Sequence, residues 1–169
     1  MKLSEHVYEL HLKAKPTKEG ERGLPKHAVS SFDVTREGVV GDYNRYRTEG
    51  LKGDPDQALL IMPLEMIDLL NWEHWPIRPG DLGENITTEG IPYHSFKVGT
   101  IYIAGNISFE ITKLATPCKN LAQLSYVGQE RKAEFIKTLL NRRGWYARVL
   151  CPGNLRKNDL ICLLSTRSE

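Results

Sequence analysis

The sequence predicts a mainly β domain, α+β by content, that is folded as a compact barrel with about two peripheral helices. Many short apolar or alternating runs are separated by turns rich in Gly, Pro and Asn. Only two segments have helical apolar spacing, and strand and helix runs do not alternate as they do in a βαβ sheet. A length of 169 residues, with 40% of them hydrophobic, suits one core, so we expect a single domain over residues 1–169.

The predicted strands are short and follow one another along the chain. Residues 7–12 alternate apolar and polar side chains, which predicts a half-buried strand. Similar or continuous apolar runs predict strands at residues 26–35, 58–62, 86–88, 100–104, 107–114, 145–150 and 160–164. Gly105 and Asn106 predict a tight hairpin between two of them. Residues 15–25 and 43–56 are polar and rich in turn residues, and the length of the second loop is typical of a functional or a disordered segment.

Two segments predict helices. The first begins at Pro63, because a proline costs little in the first turn, and it ends before Pro76. The second covers roughly residues 129–142, with two arginines in its last turn and Gly144 as the residue after its end. The positions predicted to face the core are Met66, Ile67 and Leu70 in the first helix and Ala133, Ile136, Leu139 and Leu140 in the second.

Bulk composition disfavours several classes of protein. A net charge of +2, from 23 basic and 21 acidic residues, gives no strong field for a nucleic-acid or membrane-surface partner. The 3 cysteines are far apart and lack zinc-site spacing, so neither a disulfide framework nor a zinc finger is expected. The N-terminus lacks the apolar region of a signal peptide, and no run is long enough to span a membrane. We therefore expect a cytoplasmic protein with reduced thiols.

One cysteine has an unusual position, because Cys118 follows Pro117 directly after the predicted strand 107–114. The proline restricts Thr116 to extended geometry, so a stiff dipeptide aims the next side chain. The neighbouring Lys119 favours the thiolate, which is the form that binds metals. A free cysteine is more commonly a small apolar filler. The residues alone leave both interpretations open.

The segment RPGDLGENITTEG, residues 78–90, is a second candidate. Its glycines allow a tight turn or a close approach of the backbone to a ligand. Asp81, Glu84 and Asn85 can hydrogen-bond a polar heterocycle or cap a turn. The spacing is not that of a Walker loop, so no nucleotide site is predicted. A purely structural turn is the alternative interpretation.

The segment REGVVGDYNRYR, residues 36–47, is a third candidate. Gly41 and Asp42 form a turn signal there, and Arg45 and Arg47 follow it. Arginine guanidinium groups can bind phosphate oxygens through two parallel hydrogen bonds. A solvated loop is an equally good interpretation of the same residues.

The segment GWYARVL, residues 144–150, places Tyr146 and Arg148 on one face of a predicted strand. An arginine in an otherwise apolar strand needs a partner if it points inward. In that case its expected partner is Glu84, Asp42 or an anionic ligand. This segment therefore joins the candidate site.

Four motifs occur in a fixed order, which is more specific than any one of them. They are Gly41-Asp42, then Gly83-Glu84-Asn85, then Pro117-Cys118 with Leu121, and finally Gly144-Trp145-Tyr146-x-Arg148-Val149-Leu150. In this order, from about residue 36 to 161, the chain resembles the MOSC domain, which is named from the C-terminal part of molybdenum cofactor sulfurases. The resemblance implies a mainly β barrel in which Cys118 binds the molybdenum of a molybdopterin-type cofactor or carries sulfur for it. The cofactor-binding residues that it implies are Gly41, Asp42, Arg45, Gly83, Glu84, Asn85, Lys119, Tyr146 and Arg148.

The resemblance implies a molybdenum-dependent reductase of small N-hydroxylated or N-oxide substrates. No flavin, nicotinamide or iron–sulfur motif is recognisable in the chain, so a separate electron-donor protein is expected. The alternative is a persulfide carrier or cofactor-delivery module, supplied by a desulfurase partner. Pyridoxal phosphate is not expected, because the domain that binds it in full-length sulfurases does not occur in this sequence. Nucleic-acid and membrane partners are not expected either.

The chain departs from the family pattern at three places, one of which is the closing Gly-Asp turn, here Asn158-Asp159. Several relatives have an arginine three residues before the cysteine, where this chain has Ala115. They also have a histidine soon after Gly-Asp, where this chain has Tyr43, Asn44 and Arg45. Arg45, Arg47 or Lys119 would then have to supply the positive charge for an anionic cofactor.

Overall fold

The computed structural model describes residues 4–15, 23–43 and 53–166, and these form strands, two α-helices and three 3-10 helices. The strands are β1 (His6–Leu12), β2 (His27–Val29), β3 (Ser31–Thr35), β4 (Gly38–Val39), β5 (Leu59–Pro63), β6 (Ile86–Glu89), β7 (Thr100–Ala104), β8 (Ile107–Leu114), β9 (Trp145–Cys151), β10 (Gly153–Arg156) and β11 (Ile161–Thr166). The α-helices are α1 (Leu64–Trp72) and α2 (Lys132–Thr138). The 3-10 helices are Pro55–Gln57, Tyr93–Ser95 and Lys119–Gln123.

Eight strands form one mixed sheet in the order β11-β7-β8-β9-β5-β6-β1-β2, and β10, β3 and β4 form a smaller one. The pair β5 and β6 is parallel, and the other pairs are antiparallel. The prediction of a mainly β fold with two helices is thereby confirmed. An isolated bridge from His6 to Leu160 brings β1 close to the start of β11. The strand order of the described residues is nevertheless open, so the barrel stays a prediction.

The strand predictions are most accurate where the pattern is strongest. Predicted strands 100–104 and 107–114 have the bounds of β7 and β8, which pair as the hairpin expected from the Gly-Asn turn. Strand β1 differs from simple alternation, because its register against β6 shifts between Val7 and Glu9. This bulge allows Val7 and Leu10 to be fully buried together, although strict alternation would place them on opposite faces.

The second helix is shorter than the sequence predicts. It ends at Thr138, and Asn141 then adopts a φ of 60°, which turns the chain toward β9. The predicted core positions at Ala133 and Leu140 are wrong, because both side chains are exposed. The buried residues on this segment are Phe135 and Leu139. Helix α1 buries its three predicted core positions but ends at Trp72, several residues before the proline.

The core has two main parts. One part consists mainly of residues from the large sheet and from the small sheet, and the other lies under α1 and α2. The second part includes Leu121, which is fully buried in the 3-10 helix directly after Cys118. Burying a leucine side chain stabilises the fold by about 1.5–3 kcal/mol, so this contact anchors the segment that carries the thiol. No helix among the described residues is long and apolar enough to cross a membrane.

Tyr93 connects this core to the start of β9. Its hydroxyl accepts a hydrogen bond from the Gly144 amide at 3.0 Å and lies 3.4 Å from the Gly144 carbonyl oxygen. Burial raises the pKa of Tyr93 from 10.0 to about 12. The unfolded chain therefore releases this proton at a lower pH than the folded chain does. The stability that the neutral phenol contributes is complete below about pH 10 and is lost between about pH 10 and 12.

We expect the free energy of unfolding to fall by about 2–3 kcal/mol over this window because of Tyr93. In Tyr93→Phe the alkaline loss should be correspondingly smaller, because the titrating group is gone. A reduced loss should remain, because burial raises the pKa values of Tyr102 and Tyr126 as well. Urea denaturation at successive pH values measures how steeply the free energy of unfolding falls with pH in the wild type and in the variant. The same alkaline slope in the variant as in the wild type would contradict the assignment to Tyr93.

Candidate functional site

A cavity of about 550 Å³ lies where the ends of β8 and β9 meet the turns around Gly83 and Cys118. This volume is in the range of small-molecule sites. Its lining includes the basic residues Lys26, Lys113, Lys119 and Arg143, and no carboxylate among the described residues lines it. The cavity therefore suits an anionic ligand.

Cys118 is the only thiol in the described part of this lining. Its backbone is extended, with φ −128° and ψ 164°, and its carbonyl oxygen accepts a hydrogen bond from the Leu121 amide at 3.1 Å. The preceding Pro117 is buried and Cys118 itself is partly buried. The proline and the 3-10 helix thus hold the thiol at the cavity wall from both sides. Cys151 and Cys162 are exposed and do not line the cavity.

Arg143 is a cavity residue for which the sequence contains no functional signal. Its Nη1 donates to the carbonyl oxygen of Thr116 at 2.6 Å, and its Nη2 donates to that of Leu82 at 3.1 Å. The residue is 7% exposed. It therefore joins the turn that carries Cys118 to the turn that contains Gly83. Its sequence position suggested only a charge at the end of a helix, and the shorter α2 places it in the loop before β9 instead.

The Gly-Glu-Asn motif divides between the cavity and the interior. Gly83 lines the cavity at a φ of 87°, and a Cβ there would lie 2.7 Å from Leu24 Cδ2. Glu84 is fully buried, and its Oε1 accepts hydrogen bonds from the Gly80 amide at 2.6 Å and from the Thr87 hydroxyl at 3.2 Å. Glu84 thus braces the turn from inside, while Gly83 presents its backbone to the cavity.

Asp42 and Asn85 lie together behind the cavity wall. Asn85 Nδ2 donates to Asp42 Oδ2 at 2.9 Å, and Asn85 Oδ1 accepts from the Leu60 amide at 3.2 Å. Asp42 also accepts from the Lys13 amide at 2.9 Å and forms an ion pair with Lys26 Nζ. Of this pair, Lys26 lines the cavity and Asp42 does not. The two polar motif residues therefore hold a cavity lysine in place.

Arg148 has partners other than those predicted. Its Nη2 lies 2.6 Å from Asp56 Oδ1, and its Nη1 lies 4.0 Å from Glu110 Oε2. Of the partners expected for an inward-pointing side chain, Glu84 and Asp42 are bound elsewhere in the fold, and an anionic ligand stays a prediction. Asp56 belongs to the 3-10 helix Pro55–Gln57, which begins at the end of the predicted loop 43–56.

The structure brings together part of the predicted set. The predicted residues that line the cavity are Gly83, Cys118, Lys119 and Tyr146. Those that the structure does not place in the lining are Gly41, Asp42, Glu84, Asn85 and Arg148. Arg45 lies outside the described residues, as do Asn44 and Arg47. The cofactor-binding role of each of these residues stays a prediction.

Comparisons with known proteins agree on the fold. The model of the MOSC domain family matches residues 48–161. No curated protein sequence matches the chain. The solved structure of the YuaD protein from Bacillus subtilis has 19% identity and a TM-score of 0.75, with 94% of each chain covered. Likeness at this identity supports the fold alone.

Two further solved structures are YiiM proteins. YiiM from Geobacillus stearothermophilus has 21% identity and a TM-score of 0.70, with 95% of this chain and 75% of that chain covered. YiiM from Escherichia coli has 22% identity and a TM-score of 0.65, with 100% and 72% covered. The family match covers most of the sequence and includes three of the four predicted motifs. The chain therefore belongs to the MOSC domain family.

Proposed function

We propose that the chain binds a molybdopterin-type molybdenum cofactor in the 550 Å³ cavity, with Cys118 as the protein ligand of molybdenum. The MOSC family is associated with this cofactor. The observation that carries the proposal is that Cys118 lines a cavity whose described charged residues are all basic. A thiolate is a soft ligand that suits such a metal, and basic side chains suit a cofactor that bears a phosphate.

The protein residues fit a metal that brings most of its own ligands. Within the described ranges, no group of three His, Cys, Asp or Glu side chains is arranged to hold a metal ion. A free ion would therefore find too few protein donors, whereas a metal already held by the sulfurs of a cofactor needs only one. Cys118 can supply that single ligand.

The departure at Ala115 also fits this proposal. Ala115 is buried and packs against Leu60 and Tyr146, so its position does not line the cavity. The positive charge near Cys118 comes instead from Arg143, which lies in a different part of the chain. Its guanidinium group donates a hydrogen bond to the carbonyl oxygen of Thr116, the residue after Ala115. An arginine three residues before the cysteine is thus not needed for a basic lining.

The finer proposal is a two-electron reduction of a small N-hydroxylated or N-oxide substrate, for which the bound cofactor would supply the redox chemistry. The chain itself would bind the cofactor, orient it through Cys118 and balance its charge. Electrons would come from a separate donor protein. The second candidate is a persulfide carrier, and the partial exposure of Cys118 supports it, because a desulfurase partner must reach the thiol.

Metal analysis tests the proposal. The protein is purified without oxygen from cells that make abundant molybdenum cofactor, as wild type, Cys118→Ser and Cys162→Ser. We expect near-stoichiometric molybdenum in the wild type and in Cys162→Ser, whose replaced thiol is exposed and outside the cavity, and almost none in Cys118→Ser. Molybdenum that persists in Cys118→Ser would overturn the ligand assignment. No molybdenum in any of them, together with a persulfide on Cys118, would favour the carrier.

A further inference from the structure

The basic side chains of the cavity differ in what balances their charge. Lys26 forms its buried ion pair with Asp42, and Lys113 Nζ lies 3.6 Å from Asp54 Oδ2. Within the described ranges, no carboxylate lies at ion-pair distance from Arg143. Among the buried basic residues of this lining, Arg143 is therefore the one whose charge is not offset by a described carboxylate.

The hydrogen bonds of Arg143 leave its guanidinium charge largely intact. Both bonds go to neutral carbonyl oxygens, those of Thr116 and Leu82. Its Nε is buried and has no hydrogen-bond partner among the described residues. A positive charge that is removed from water and faces only dipoles acts more strongly on its surroundings than a solvated charge does. The open space beside Arg143 is the cavity that Cys118 also lines.

We propose that Arg143 is a positioning residue of this site that also sets its electrostatics: it holds the Cys118 turn against the Gly83 turn, and it makes the surroundings of the thiol electropositive. Anionic molecules are thereby drawn to the sulfur. The proposal concerns the same cavity as the proposed function, but it requires no molybdenum. It holds equally for a reductase and for a sulfur carrier.

The two parts of this role require different features of the side chain. Holding the turns together requires a planar fork that donates to two carbonyl oxygens, which arginine has and lysine lacks. Making the thiol surroundings electropositive requires only a positive charge. Arg143→Lys therefore retains the charge and loses the fork, whereas Arg143→Met loses both.

A pair of alkylating reagents measures the local charge directly. Iodoacetate is an anion and iodoacetamide is a neutral molecule of nearly the same size, and each forms an S–C bond with a thiolate as iodide leaves. The ratio of the two rates at one cysteine cancels the thiolate fraction and the accessibility of the sulfur, so the remaining difference is electrostatic. A merely structural change in the turn alters both rates together and leaves the ratio unchanged.

The protein is made in cells that cannot synthesise molybdenum cofactor, so that the thiol is free. Rates at Cys118 are followed by peptide mass spectrometry, with the exposed Cys151 and Cys162 as references within the same molecule. We expect Arg143→Met to lower the iodoacetate-to-iodoacetamide ratio at Cys118 by about three- to tenfold and to leave the reference ratios unchanged. Arg143→Lys should retain the wild-type ratio to within about twofold.

Arg142 provides the matched control. It is the neighbouring arginine, and its Nη2 lies 2.7 Å from Glu73 Oε1, away from the cavity lining. Arg142→Met should leave the ratio at Cys118 unchanged. If Arg143→Met does not fold, as judged by circular dichroism, Arg143→Gln replaces it because its amide can still donate to a carbonyl oxygen. A wild-type ratio in the folded neutral variant, or a drop that occurs only in Lys119→Met, would overturn the proposal.

The two proposals fail in different ways. Loss of molybdenum binding in every protein would leave the alkylation ratio of the metal-free protein unaffected. Conversely, if the ratio in Arg143→Met is unchanged, the wild type can still contain molybdenum bound through Cys118. Each experiment therefore tests its own claim.

Discussion

Replacement of Asp42 by asparagine is expected to lower the free energy of unfolding by about 3–5 kcal/mol, the usual cost of breaking a buried ion pair from one side. The side chains of Asp42 and Lys26 are 2% and 3% exposed. An asparagine keeps the shape of the carboxylate but cannot supply the negative charge that faces the ammonium group. The buried ammonium group then loses the charge compensation that the Asp42 carboxylate supplies.

Urea denaturation of Asp42→Asn measures this loss, and Asp56→Asn is the control. Asp56 faces Arg148 in an ion pair whose side chains are 41% and 40% exposed, so its replacement should cost no more than about 1 kcal/mol. The double variant with Lys26→Met should recover much of the loss, because the remaining charge is removed as well. Similar losses for the two aspartate variants would show that burial does not determine the energy of the pair at Asp42.

The same pair links the fold to the cavity. Lys26 lines the cavity, while Asp42 and Asn85 hold the lysine from behind. A motif residue can therefore matter for a ligand without contacting it. We expect the effect of Asp42 and Asn85 on any bound anion to act through the position of Lys26.

The part of the fold that the sequence predicts well is the part with local patterns. Strand β8 alternates apolar and polar residues from Ile107 to Thr112, β7 is a short apolar run, and a Gly-Asn turn joins them. The bounds of this hairpin therefore follow from the local sequence. The end of α2 cannot be predicted from the local sequence, because the helical apolar spacing continues beyond Thr138. The turn at Asn141 is determined by the need to enter β9, which is a tertiary requirement.

The candidate site shows the same limit. The sequence predicts Cys118 as a site residue because a proline precedes it and a family pattern surrounds it. Arg143 had no local signal, because its partners at Leu82 and Thr116 are 61 and 27 positions away along the chain. Whether Glu84 faces a ligand or the interior is likewise decided by the turn at Gly80 and not by spacing. Local patterns thus indicate which segments form the site, and long-range packing determines which side chains line it.

Replacement of Gly144 by alanine is expected to cost about 3 kcal/mol or more. Gly144 has a φ of 105°, and a Cβ there would lie 2.5 Å from the carbonyl oxygen of Ile61 in β5. Neither the strain nor the clash can be relieved by a side-chain rotation, because both involve the backbone. The Gly144 carbonyl also accepts a hydrogen bond from the Ala115 amide at 2.9 Å, so any shift reaches the segment that leads to Cys118.

Gly41→Ala separates the clash from the conformational strain. Gly41 has a φ of 82°, and a Cβ there would meet no heavy atom of the described residues within 4 Å, so only the strain of about 1–2 kcal/mol remains. Urea denaturation of both variants measures the difference in unfolding free energy, and the iodoacetamide rate at Cys118 reports on the turn. We expect Gly144→Ala to be the less stable variant and to alkylate faster at Cys118, because displacement of Gly144 also displaces the neighbouring Arg143 from the two carbonyl oxygens it binds. Equal stability and equal rates would mean that β9 can shift without disturbing the cavity.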